Sequence, residues 1–84
     1  MSQPQTRLEA LIGFVRDFEP SFGRPTVYEI GRALDMRHDE IERSIYLTPL
    51  LRLRTGAYLP DGKWYEFTGR SEWQVEYLGE RHGE

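Results

Sequence analysis

Thr6-Arg7-Leu8-Glu9 and Thr26-Val27-Tyr28-Glu29 repeat one pattern, Thr-x-x-Glu ahead of an apolar run. In that pattern the Thr hydroxyl accepts from the N–H three residues on, and the Glu carboxylate accepts from the Thr N–H. Two donors that a helix start leaves unpaired are thereby satisfied reciprocally. No other feature restricts the chain as tightly, because it sets two helix starts, at 6 and 26, before any tertiary contact is considered.

The apolar spacing agrees. Leu8, Leu11, Ile12, Val15 and Phe18 recur at helical intervals and predict an amphipathic helix from Thr6 to about Phe18. Pro20, Gly23 and Pro25 then mark a turn-rich connection, with Phe22 inside it expected to anchor the core. A second helix is expected over Val27–Leu34, burying Val27, Ile30 and Leu34. Gly31 within it costs about 1 kcal/mol relative to Ala, which points to a close helix–helix crossing. Asp35 stands where the chain turns sharply, and Asp tolerates the left-handed conformation better than most residues.

A third helix spans about His38 to Leu47, with Ile41, Ile45 and Thr48 on one side and Asp39, Arg43 and Tyr46 on the other. Pro49 ends it. Leu51 and Leu53 alternate with Arg52 and Arg54, the period of a half-buried strand. Leu59-Pro-Asp-Gly-Lys63 has hairpin-turn chemistry, and Trp64-Tyr-Glu-Phe-Thr68 is expected to return as the partner strand, with Tyr65 and Phe67 inward. Further on, Trp73, Val75 and Tyr77 alternate like a strand, yet Trp73 and Tyr77 would also stack one helical turn apart. Both readings stand at this level. Residues 1–5 read as a disordered polar leader, 6–68 as one α+β domain, and 69–84 as an acidic segment.

With 84 residues, the chain has room for one core. There is no cysteine, hence no disulfide or thiolate metal site, and no apolar run suits a membrane span or signal peptide. A cytoplasmic protein is expected, with no membrane partner. His38 and His82 are the only histidines, and no phosphate loop, nucleophile elbow or spaced ligand cluster occurs. No catalytic activity, metal or cofactor is expected. The net charge of −3 is unevenly spread: residues 1–36 carry −1, 37–70 carry +1 and 71–84 carry −3, while Arg43 to Lys63 holds four cations against Asp61 alone. Local charge, not the total, decides whether a surface attracts phosphate.

The order of helix, helix, turn, helix and basic hairpin resembles the winged helix-turn-helix superfamily. Gly23-Arg-Pro-Thr-Val-Tyr-Glu-Ile-Gly-Arg-Ala-Leu34 is similar to the helix-turn-helix of the SOS-response repressor family. Arg52 to Phe67 resembles the wings of multiple-drug-resistance-type regulators. The chain departs from the pattern at Gly31, where Ala is usual, at Asp35, where Gly is usual, and at Arg37, where Ser or Thr is usual. Asp39, Glu40 and Glu42 also make the third helix unusually acidic. The resemblance implies a small DNA-binding transcriptional regulator acting as a dimer, with the third helix in the major groove and the hairpin on the backbone. By position, Arg37, His38 and Arg43 would approach bases or phosphates and Tyr46 the backbone. Arg43 has the guanidinium fork suited to guanine, and Arg52, Arg54 and Lys63 would contact phosphates.

Plainer roles exist for the same residues. Arg43 follows Asp39 by one turn, so an intrahelical ion pair is available. Asp39, Glu40 and Glu42 suit the helix dipole. Arg52 and Arg54 also fit the solvent face of a strand. Trp64 fits either a stacking surface or a cover for the base of the hairpin. Trp73 and Tyr77 fit either a dimerisation element or packing over the first helix. The competing function is a protein-interaction module, an adaptor or phage-type inhibitor, since the fold does not dictate DNA binding. A positive surface broken by Asp39, Glu42 and Glu66 would favour it.

Overall fold

The computed structural model describes residues 6–79. Three helices, α1 (Arg7–Phe22), α2 (Val27–Leu34) and α3 (His38–Tyr46), precede an antiparallel region of four short strands. These are β1 (Leu51–Arg54), β2 (Gly56–Tyr58), β3 (Trp64–Glu66) and β4 (Gln74–Tyr77), with a 3-10 turn at Arg70–Glu72 before β4. The domain is α+β. None of the helices described is long and apolar enough to cross a membrane. The expected leader, residues 1–5, and the end of the acidic segment, residues 80–84 including His82, lie outside the described residues.

Both capping boxes form. Glu9 N–H donates to Thr6 Oγ1 at 3.1 Å and Thr6 N–H to Glu9 Oε1 at 3.3 Å. At α2 the same two bonds measure 3.0 and 2.8 Å. Asp35 ends α2 in the left-handed conformation, φ 55°, with its N–H on the Gly31 carbonyl.

The first helix overruns its expected end. It continues through Pro20 to Phe22 and closes at Gly23, φ 82°, whose N–H reaches the Glu19 carbonyl at 3.0 Å. Proline lacks an N–H and normally disrupts a helix interior, but Pro20 lies in the last turn, where only the bond to Arg16 is lost. A ladder of rings one turn apart supports that turn: Phe14–Phe18 at 5.3 Å and Phe18–Phe22 at 5.0 Å. In consequence Phe22 is no core anchor. It is 76% exposed, on an outward stripe of α1.

The strand pairing also differs from the expected simple hairpin. β1 pairs with β4, Leu51 opposite Tyr77 and Leu53 opposite Val75, and only β2 pairs with β3, Tyr58 opposite Trp64. On its far side β4 meets Thr26, with Val27 N–H on the Trp73 carbonyl at 2.7 Å and Val75 N–H on the Pro25 carbonyl at 3.0 Å. The stretch Gln74–Tyr77 is therefore a strand, paired with β1 on one side and bridged to Thr26 on the other. Leu11, Val15, Val27, Ile30, Ile41, Ile45, Leu51 and Val75 form the core between helices and sheet, with Trp73 and Tyr77 packed against it.

The distal hairpin follows its sequence signature at the tip. Gly62, φ 89°, donates to the Leu59 carbonyl at 2.8 Å, Leu59 N–H to the Lys63 carbonyl at 2.8 Å, and Lys63 N–H to Asp61 Oδ1 at 2.9 Å. Its faces are less sheltered than expected, because Tyr65 is exposed and Phe67 only half-buried. Trp64 lies edge-on to Tyr58 at 5.1 Å and covers Gly56, where a Cβ would strike its ring. It covers the hairpin and remains half exposed.

Gly31 is explained by a different neighbour from the one its position suggests. A Cβ there would sit 2.9 Å from the Met36 carbonyl oxygen in the α2–α3 turn, while the nearest atom of α3, Ile41 Cδ1, is 3.9 Å away. The turn, not a helix crossing, excludes a side chain. Helix propensity alone makes Gly31→Ala stabilising by about 1 kcal/mol. The contact with backbone reverses the sign, and we expect a loss of roughly 1–2 kcal/mol in urea denaturation. A rise in the denaturation midpoint would refute this account.

Candidate functional site

Helix α3 turns Ile41, Ser44 and Ile45 inward, which leaves Asp39, Arg43 and Tyr46 on its outward face. Tyr46 is 78% exposed. Arg37 caps the helix without a side-chain hydrogen bond, and its Nε lies 3.7 Å from Asp39 Oδ1. Arg43 Nη2 approaches the other oxygen, Asp39 Oδ2, at 3.6 Å. Two guanidiniums thus share one carboxylate, and all three groups are exposed. His38 is half-buried at the first position of α3, beside Tyr28 and Arg32 in a shallow crevice, off the face that Arg43 occupies.

The other two acids of α3 are engaged elsewhere. Glu40 meets Arg7 of α1 at 3.1 Å. Glu42 accepts both forks of Arg70, at 2.7 and 2.9 Å, a bidentate pair of the strong type. Arg70 follows the distal hairpin, so this pair clamps the hairpin's return to α3, and hydrogen bonding to Glu42 raises the guanidinium pKa further.

Arg52 and Arg54 project from the sheet face opposite Leu51 and Leu53, away from the helices. There they meet two residues that sequence reasoning missed. Glu76, opposite Arg52 in the register, lies 3.4 Å from Arg52 Nε and 3.3 Å from Arg54 Nη1. Arg24, from the α1–α2 connection, brings Nη2 to 3.3 Å from the same carboxylate. The pairing of Pro25–Val27 with β4 is what carries Arg24 there, and nothing local in the sequence announces it. Lys63 stands at the hairpin tip and makes no ion pair among the described residues.

The predicted contact residues consequently fall into separate groups. Arg37 and Arg43 gather on Asp39, Arg52 and Arg54 gather with Arg24 on Glu76, Lys63 is at the tip, and Tyr46 lies on α3 beside exposed Leu47. The groups share a sign. Each of the two shared acids is outnumbered by its guanidiniums, leaving a local surplus of positive charge on a chain of net charge −3.

Burial alone would push the Glu76 carboxyl up, but Arg24, Arg52 and Arg54 together outweigh it and hold the group below the usual carboxylate range. A carboxyl depressed in the folded state adds stability that is present above its unfolded pKa, about 4.3, and lost as pH falls through the folded value. Glu76→Gln should therefore lower the urea midpoint at pH 7, and the gap to the parent protein should close as pH drops below about 4. An equal gap at pH 7 and pH 3 would assign the effect to packing instead.

Compared with protein-family models, curated proteins and solved structures, the chain matches none of them.

Proposed function

We propose that this chain is a winged helix-turn-helix domain that binds duplex DNA and serves as a small transcriptional regulator. Its α3 enters the major groove with Arg43 reading a base edge, Arg37 and Tyr46 lie near the backbone, and the hairpin reaches a neighbouring groove or phosphate through Lys63. The observation that carries this reading is the surplus of guanidinium over carboxylate on Asp39 and Glu76, in a protein whose total charge is negative. Two of the acids that argue against phosphate binding, Glu40 and Glu42, are already occupied by Arg7 and Arg70. The exposed ion pairs of Arg37 and Arg43 are long and weak, so phosphate or guanine can replace Asp39 at little cost.

One feature favours a protein partner instead. Tyr46, Leu47, Tyr58, Leu59, Trp64 and Tyr65 are all substantially exposed, and large exposed apolar side chains in numbers commonly mark interaction surfaces.

Fluorescence anisotropy of a labelled mixed-sequence duplex decides between these readings. Binding that weakens steeply with salt is expected; no binding even at low salt would transfer the function to the aromatic surface. Once an operator is in hand, Arg43→Ala should relax sequence preference, costing about 1–3 kcal/mol on the cognate site. Lys63→Ala should weaken all duplexes alike and reduce the salt slope by about 1. Equal loss on cognate and random duplexes for Arg43→Ala would remove it from base reading.

A further inference from the structure

We propose that Arg24, Arg52 and Arg54 form a phosphate-binding site on the outer face of the sheet, with Glu76 as the built-in anion that holds the three guanidiniums together. The ligand is a phosphate group of the duplex backbone, and that choice of source rests on the function proposed above. The site itself rests on geometry.

Three positive side chains from two segments of chain, Arg24 of the α1–α2 connection and Arg52 and Arg54 of β1, converge on one carboxylate supplied by a third, β4. No other carboxylate lies within ion-pair range of them among the described residues. Glu76 lies beneath, its side chain 16% exposed, whereas Arg24 and Arg52 are 40% and 58% exposed above it. Each guanidinium has five N–H donors, and each places only one within hydrogen-bond distance of Glu76, at 3.3–3.4 Å. The contrast with Arg70 is direct, since that side chain gives Glu42 two short bonds and is satisfied. The triad leaves most of its donors without a partner on Glu76, with Arg54, 27% exposed, the least open of the three, and it carries two positive charges more than Glu76 cancels. Like charges held this close repel one another, and a second anion above the triad would relieve that repulsion.

A phosphate suits the triad in charge and in the geometry of its donors. Its oxygens accept several N–H bonds at once, and the planar fork of arginine matches pairs of them, which the point charge of lysine does not. Glu76 holds the arginines in place before the ligand arrives, so less side-chain freedom is lost on binding.

Two measurements test this. The first follows the Arg Nε–Hε resonances of the whole protein by NMR while inorganic pyrophosphate is added at low ionic strength. Saturable shifts are expected at Arg24, Arg52 and Arg54, with smaller ones at Arg37 and Arg43. In Arg24→Ala, whose backbone spectrum checks the fold, the affinity reported by Arg52 and Arg54 should fall at least about five-fold. Absence of saturable shifts, or equal shifts at every exposed arginine, overturns the site. The second titrates the labelled duplex with Arg24→Ala, which should weaken binding on all sequences and lower the salt slope by about 0.9. Duplex binding by the parent protein that Arg24→Ala leaves unchanged overturns the duplex as the phosphate source. If the parent protein binds no duplex, the function proposed above fails and the duplex fails as the ligand, while the pyrophosphate titration still decides whether the site exists.

Discussion

The backbone pairing of β4 holds the rest of the structure in place. Val75 is fully buried, and its strand lies between Thr26 on one side and β1 on the other. Three segments far apart in the chain, 25–27, 51–54 and 74–77, thereby become one small sheet with an apolar face toward the helices. A two-stranded ribbon is marginal in water, and added strands over a packed face give it independent stability. The same pairing fixes the start of α2, because Val27 N–H is bonded to the Trp73 carbonyl beside the Thr26 cap. It also reaches α1, whose Glu19 carboxylate accepts the Tyr77 N–H at 3.2 Å.

That arrangement sorts the charges. Four acids contact arginines on or beside the candidate surface, in two different ways. Glu40 and Glu42 bind one arginine each and fasten α3 to α1 and to the segment after the hairpin. Asp39 and Glu76 each gather more than one arginine and leave positive charge in excess. The acidity of α3 therefore has two effects, one that stiffens the fold and one that collects cations. A count of charges along the helix cannot distinguish them, since the difference lies in which arginine arrives from elsewhere.

Much of the fold was legible because its signals are local. The Thr6 and Thr26 boxes, the left-handed Asp35 and the turn at Leu59–Lys63 each depend on residues within a few positions, and all formed as read. The end of α1 is not legible in the sequence because Pro20 is a strong local breaker, while the stacking of Phe14, Phe18 and Phe22 that sustains the last turn is a cumulative effect. The neighbour of Gly31 is not legible either, because a glycine reports that space is short without saying which atom takes it. In the candidate site, Arg52 and Arg54 were legible from strand alternation, but Arg24 and Glu76 were not, because their meeting requires the pairing of Pro25–Val27 with β4.

The sequence by itself determined where the helices begin, where the chain reverses and which faces are apolar. Those outcomes follow from hydrogen bonds and side-chain periodicity within about one turn or one hairpin. Only the tertiary structure decided that β1 takes β4 as its partner, that Phe22 faces solvent, and that three arginines surround Glu76. Strand partners and ion pairs form between segments that sequence separation leaves independent, and burial of Val75 in a shared core is what brings those segments together.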